Sequence, residues 1–247
     1  MINRFVFRVN TPSPLPADRA YLFYSYLLSL LQGDYTEELH EPKETPISQC
    51  LYSDSKETLW QIHLLDQESN DADVLYNLKG LSLNSGEVDL ELVKHNSYSV
   101  EELIETAKSI DSKRFFSLRF FSPTAFKQSG KYTVLPEKEL IIKSLLRKWN
   151  TSFPTYPLED DDAFRMLAEG IRISDYYLHT TRFMLKNNRI PGFIGTISFD
   201  THLSVPLLDI WKILIAFSEF SGVGIKTALG MGGVKLFVPR DKRGAVM

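Results

Sequence analysis

The chain opens on an alternation of apolar and polar positions, Ile2-Asn-Arg-Phe-Val-Phe-Arg-Val9, the period of a strand with one covered face. Thr11-Pro-Ser-Pro-Leu-Pro16 breaks the run, and apolar positions then recur at helical spacing from about Asp18 to Leu31, where Gln32-Gly33 stops them. Residues 47–52 and 58–65 flank the polar turn Ser53-Asp-Ser-Lys56 and predict a hairpin. A short helix over 71–78 follows, then a second hairpin, 81–83 with 88–94, around Asn84-Ser-Gly-Glu87. The order strand, helix, strand, strand, helix, strand is that of a ferredoxin-like unit.

The pattern then restarts. Ser99 with Glu102 three residues on forms a capping box for a helix over 100–109, which serves as a linker. A strand over 114–121, helices over 136–149 and 163–170, and a long hairpin of 173–185 with 192–200 joined through Asn187-Asn-Arg189 come next. A strongly apolar helix over 206–220 and a last strand over 232–239 complete the chain. The fold class expected is α+β, with two ferredoxin-like halves of βαββαβ order and antiparallel sheets, residues 1–98 and 99–247. Similar element order is all that supports a duplication, because the residues themselves show no repeat.

Composition narrows the setting. With 43% hydrophobic and 24% charged residues the 247-residue chain has the make-up of a globular protein. A single cysteine, Cys50, rules out an intramolecular disulfide framework and the paired-cysteine zinc signatures, which points to a reducing, cytoplasmic location. Met1–Val9 reads as a first strand rather than a secretory signal, and the apolar stretches 21–31 and 205–220 are too short or too interrupted by charge to span a membrane. Net charge is −3 and the pI about 6.0, which argues mildly against nucleic acid as a partner, so RNA binding requires a local basic face. The candidates are Lys138, Lys143, Arg147 and Lys148; Arg182, Lys186 and Arg189; and Lys226, Lys235, Arg240, Lys242 and Arg243, each of which also reads as ordinary solvated surface.

The most informative segment is Ser221-Gly-Val-Gly-Ile-Lys-Thr-Ala-Leu-Gly-Met-Gly-Gly233. Its glycines permit positive φ and close backbone approach, and free amides there would form an anion-binding concavity with Lys226 placed to meet a phosphate. A dinucleotide fingerprint or a Walker loop needs its glycines between a strand and a helix, whereas these follow a helix and precede a strand. A merely tight helix-to-strand connection is the plain structural alternative. The pattern Gly-apolar-Gly, five residues with one basic, Gly-apolar-Gly resembles the glycine-rich loop of the RAMP superfamily of CRISPR proteins. Residues 217–232 are similar to its repeat-processing endoribonuclease branch in particular, and Leu118-Arg-Phe-Phe-Ser-Pro-Thr-Ala-Phe-Lys127 resembles that branch's strand leading into the second half.

The resemblance implies tandem ferredoxin-like domains, with CRISPR-repeat RNA recognised in the cleft and basic face between them. It implies RNA contacts at Gly222, Gly224, Lys226, Thr227, Gly230 and Gly232, with Lys127 and Arg182 alongside. It also implies cleavage without metal or cofactor: the substrate's 2′-hydroxyl attacks the adjacent phosphate, leaving a 2′,3′-cyclic phosphate and a 5′-hydroxyl. Such a reaction calls for a base, an acid and positive charge on the phosphorane. His40, in the connection after the first helix, matches the position of the family's histidine; Lys43 in the same loop matches a phosphate-binding lysine, and Tyr26 lies where some relatives place a tyrosine, with Tyr24 and Tyr35 near it. His63, His95, His179 and His202 read as structural, although His179 with Tyr177 and Arg182 is a candidate RNA-facing group. Repeat RNA is the partner implied, with a CRISPR effector complex and a second copy of the chain as further candidates, and no membrane. Two rival readings stand beside this one: a non-catalytic RAMP protein that only binds guide RNA, and a ferredoxin-like protein whose loop binds a small phosphate compound.

Overall fold

The computed structural model describes residues 1–31, 46–54, 57–65, 72–83, 86–158 and 161–238. The alternating opening segment forms β1 (Ile2–Asn10), followed by a 3-10 turn at Ala17–Arg19 and α1 (Ala20–Leu30). The hairpin β2 (Ile47–Asp54) and β3 (Glu57–Leu64), the short helix α2 (Ala72–Tyr76) and the hairpin β4 (Gly80–Leu83) and β5 (Gly86–Tyr98) follow as the pattern predicted. They make one antiparallel sheet in the order β2-β3-β1-β5-β4. Taking β5 as the closing strand, β5-β1-β3-β2 is the ferredoxin-like order, and β4 is an added edge strand.

The second half repeats that order. α3 (Val100–Lys108) carries the capping box foreseen, with Ser99 Oγ accepting from the Glu102 amide at 3.1 Å and the Glu102 carboxylate accepting from the Ser99 amide at 2.8 Å. After it come β6 (Phe115–Thr124), a small hairpin β7 (Phe126–Gln128) with β8 (Lys131–Thr133), α4 (Lys138–Ser152), α5 (Asp161–Gly170), β9 (Ile171–Leu185), β10 (Asn188–Thr201), α6 (Val205–Ser221) and β11 (Val234–Phe237). The sheet order β11-β6-β10-β9 is again that of a ferredoxin-like unit. Two expectations are corrected, since the β9–β10 turn is Lys186-Asn187 with Lys186 at φ 53°, and the last strand starts at Val234, leaving Gly232 and Gly233 in the loop; the β7–β8 hairpin was not foreseen, having no strand-length alternation to reveal it.

Each sheet buries one face under its own helices. Phe5, Phe7, Trp60, Ile62 and Leu64 close on Phe23 and Leu27 of α1, and Phe116, Leu118, Phe120, Ile197 and Phe199 close on Trp149 of α4 and on Trp211 and Phe217 of α6. Full burial of each such side chain stabilises by about 1.5–3 kcal/mol. Lys212 of α6 is buried, yet its Nζ donates to the Ile110 carbonyl at 2.8 Å and to that of Lys108 at 3.4 Å, closing the C-terminus of α3. Among the described residues no helix is long and apolar enough to cross a membrane.

The uncovered faces of the two sheets meet along one side. The Tyr52 ring lies 5.3 Å from that of Phe121, and Phe220, at the end of α6, packs against His63 and Tyr98. Ser48 Oγ donates to the Phe220 carbonyl and lies 3.0 Å from His63 Nδ1, while His63 Nε2 is buried with no hydrogen-bond partner among the described residues, in a small cavity also lined by Cys50, Gln61 and Glu219. Burial, then the charge of Arg4, holds the His63 ring well below the ordinary histidine range, and burial pushes the Cys50 thiol up to about 12. A histidine held neutral in the fold contributes stability that is present above its unfolded value of about 6.5 and lost as pH falls below it, with a slope of up to about 1.4 kcal/mol per pH unit. Thermal unfolding between pH 7.5 and 5.5 should therefore show a steeper loss for the wild type than for His63→Gln, and equal slopes would remove His63 as the cause. Burial also lowers His95, which adds the same sign to both proteins, and Cys50 titrates outside this window.

Candidate nucleic-acid interface

The glycine-rich loop leaves α6 and is threaded between the two halves. Gln49 on β2 fixes it there: buried, it donates to the Ala228 carbonyl at 2.9 Å and to that of Ala20 at 2.8 Å, and it accepts from Trp60 Nε1 at 2.7 Å. Thr227–Leu229 forms a 3-10 turn, and Gly230 after it sits directly against Ala20 of α1.

The expectation of free amides is corrected. Gly222 N–H donates to the Ser218 carbonyl, Val223 to Gly232, Gly224 to Ser144 Oγ at 2.9 Å, Ile225 to Ala125, Gly230 to Thr227, Gly232 to Pro123, and Gly233 to Ser122 Oγ at 2.6 Å. Gly222, Gly224, Gly230 and Gly232 thus serve contacts inside the protein, because buried amides must find acceptors, here oxygens of α6, α4, the loop's own 3-10 turn and β6 respectively. Thr227 turns inward too, its hydroxyl accepting from the buried Lys148 Nζ at 2.7 Å. Lys148 therefore leaves the list of surface cations. So does Lys138, whose Nζ donates to the Ile171 carbonyl at 2.9 Å and to that of Ala168.

What the loop presents outward is Lys226, half-buried in the left-handed region at φ 58°. Burial lowers its pKa, and the neighbouring Lys127 charge lowers it further. Lys127 projects from β7, and Phe183 of β9 packs with Ala125 and Met231, which brings the exposed Arg182 to the same end of the second sheet. The structure therefore brings Lys127 and Lys226, far apart in sequence, within electrostatic reach of each other, whereas Arg182 alternates with Phe183 and leaves β9 on its opposite face. Tyr26 is half-buried on α1 at the edge of the first core and Tyr24 is inside it. His40, Lys43, Tyr35, Arg240, Lys242 and Arg243 lie outside the described residues.

A second set of cations follows the uncovered face of the second sheet. Register places Tyr177, Thr196, Arg119 and Lys235 in one row across β9, β10, β6 and β11, with Tyr177, Arg119 and Lys235 exposed. Tyr177 is 70% exposed and its ring meets His179 edge-on at 4.7 Å, an aromatic pair open to a base. Arg119 was legible in the sequence only as the outward member of Leu118-Arg119-Phe120; what makes it part of a basic row is its alignment with Lys235, more than a hundred residues on. The facing sheet contributes Arg4 and Lys94, whereas Arg8 is neutralised by Glu57 at 3.2 Å and Glu91 at 2.6 Å. Of the remaining histidines, His95 pairs with Tyr76 at 2.9 Å and His202 with Arg114 at 3.0 Å.

Positive charge concentrated at the loop and along a cleft, in a chain of net charge −3, is what a backbone-reading protein requires. Comparison with known proteins gives this arrangement a family. Residues 118–234 match the family model described as CRISPR-associated endoribonuclease Cas6. The chain is 33% identical over 227 residues to a CRISPR-associated endoribonuclease Cas6 of Streptococcus thermophilus, covering 91% of this chain and 93% of that protein. Among solved structures, Thermus thermophilus Cas6 superposes with a TM-score of 0.71 at 26% identity over 96% of this chain and 98% of its own, and its product complex with 0.74 at 25% identity over 96% and 100%. With a relative this similar along nearly the full length of both chains, and with the glycine-rich loop inside the residues that the family model matches, the chain belongs to the Cas6 family of CRISPR-associated endoribonucleases.

Proposed function

We propose that this chain cuts the repeat RNA of CRISPR precursor transcripts into guide RNAs, in the cytoplasm, without a metal, by attack of the substrate's own 2′-hydroxyl on the adjacent phosphate. The observation that carries the reading is the match to a Cas6 endoribonuclease over nine-tenths of the chain. The loop end of the second sheet supports it, because Lys127 and Lys226 offer two neighbouring cations to a phosphate backbone, and in this reading Arg182 on β9 adds a third contact. In this reading the chain works as two halves, 1–98 and 99–247, with the RNA across their junction. His40 takes the proton of the 2′-hydroxyl, Lys43 offsets charge on the phosphorane, and Tyr26 assists from α1. The bond formed joins the 2′-oxygen to phosphorus and the bond broken frees the 5′-oxygen, so the products carry a 2′,3′-cyclic phosphate and a 5′-hydroxyl.

Incubation of the purified protein with repeat-containing RNA in excess EDTA tests this directly. One cut with cyclic-phosphate ends is the expected result. Cleavage that stops in EDTA and returns with magnesium would overturn the metal-free mechanism, and tight binding with no cleavage under either condition would replace it with the non-catalytic RAMP reading.

A further inference from the structure

At the end of the second sheet opposite the glycine loop lies a charged group that the cleavage reading leaves unused. Asp200, 2% exposed near the end of β10, accepts from Arg114 Nε and from Arg114 Nη2 at 3.0 Å, and from Arg172 Nε at 3.0 Å and Nη2 at 2.6 Å. His202 Nε2 stands 3.0 Å from Arg114 Nη2 and 3.6 Å from Asp200. The carboxylate is buried but its partners are not: the side chains of Arg114, Arg172 and His202 are 41%, 66% and 61% exposed.

A buried carboxylate is neutralised by one guanidinium, and the bidentate Arg114 supplies it. Arg172 leaves a net positive charge held in fixed geometry at the surface. As a strut it adds less than Arg114, since its guanidinium is two-thirds exposed and screened there by water and salt. As a binding group it is favoured, because anchoring through Nε and Nη2 fixes the fork and leaves Nη1 of both arginines without a bond to the protein among the described residues. Asp200 pairs in register with Phe115 and Arg172, on the same uncovered face as the row Tyr177, Thr196, Arg119 and Lys235. β6 runs ten residues from this cluster to the loop, about 30 Å at 3.3 Å per residue.

We propose that Arg114 and Arg172, held by Asp200, form a second phosphate-binding site that grips phosphodiester groups of the bound RNA at the end of the sheet opposite the glycine loop. The site deepens the RNA-processing reading and rests on it. An RNA that reaches both ends must span about 30 Å, roughly nine duplex steps of 3.4 Å or fewer of an extended strand.

The test compares wild type, Arg172→Gln and Arg172→Lys in the full chain, titrated with intact repeat RNA and with the repeat trimmed to a few nucleotides around the cut, across a series of salt concentrations. Arg172→Gln leaves the Arg114–Asp200 pair in place, and an unchanged melting temperature confirms the fold. The expected result on intact RNA is a three- to tenfold weaker affinity for Arg172→Gln at low salt, a salt-dependence slope smaller by about 1, and recovery of the slope in Arg172→Lys. On trimmed RNA the three proteins should bind alike. Equal affinity and slope on intact RNA overturn the proposal. So does a result in which inorganic phosphate raises the melting temperature of wild type but not of Arg172→Gln while RNA binding is unaffected, since the site would then take free phosphate. If the wild type binds intact RNA without cutting it, the nuclease reading fails while the comparison of slopes still decides this site.

Discussion

Replacing His40 with alanine is expected to lower the cleavage rate by about 10²- to 10⁴-fold, the contribution of one positioned proton-transfer group, and to leave RNA affinity within about twofold. The asymmetry follows from where the charge sits. In the proposed reading affinity for the RNA polyanion is carried by cations such as Lys127, Lys226, Arg182, Arg119 and Lys235, and one imidazole adds little beside them. The chemical step instead depends on a group that titrates near neutrality and reaches the 2′-hydroxyl. Single-turnover cleavage with the enzyme in excess separates the two quantities, because binding is then saturated and the rate reports chemistry alone. A rate within threefold of wild type would remove His40 from the mechanism. A rate loss accompanied by an equal loss of affinity would assign the residue to binding.

Much of the architecture was legible because it rests on local periodicity. The alternation in Ile2–Asn10, the capping box at Ser99 and Glu102 and the turn-bounded hairpins each depend on neighbouring residues, and each formed where expected. The short β7–β8 hairpin depends instead on what lies beside it, which three residues a strand do not encode. The site divides the same way. The glycine pattern identified the loop, but the pattern cannot say which way an amide points, and the amides turned out to be taken by Ser144, Ala125, Pro123 and Ser122. Lys148 and Lys212 are ordinary helix cations in the sequence. Only packing reveals that one ends on a threonine hydroxyl and the other on the carbonyls that end α3. Arg114, Arg172 and Asp200 are separated by up to 86 residues and carry no local signature at all.

Gly224→Ala is expected to destabilise the protein by about 3–5 kcal/mol, against about 1 kcal/mol for Gly130→Ala, and the difference shows what the glycine pattern encodes. Both glycines have similar backbone angles, φ +84° and +80°, so both substitutions carry the strain of a side chain in the left-handed region. They differ in surroundings. A Cβ at Gly130 meets nothing within 4 Å, whereas one at Gly224 would lie 2.3 Å from the Ala125 carbonyl oxygen, the acceptor that holds Ile225 N–H at 3.0 Å. That oxygen belongs to backbone and cannot swing aside, so the loop must move, taking with it the bond from Gly224 to Ser144. Gly232, whose Cβ would stand 2.2 Å from the Val223 carbonyl oxygen, is subject to the same argument on the other side of the loop. Chemical denaturation of the two variants beside wild type gives the energies, and RNA affinity measured on the folded fraction gives the function. A large stability loss for Gly224→Ala, with affinity of the folded fraction reduced only as far as Lys226 is displaced, means the glycines exist to pass one backbone against another and RNA binding is carried by the cations this close passage presents. If Gly224→Ala were no less stable than Gly130→Ala yet failed to bind RNA, the glycines would instead be needed for the approach of the RNA itself, and the packing account of the loop would fall.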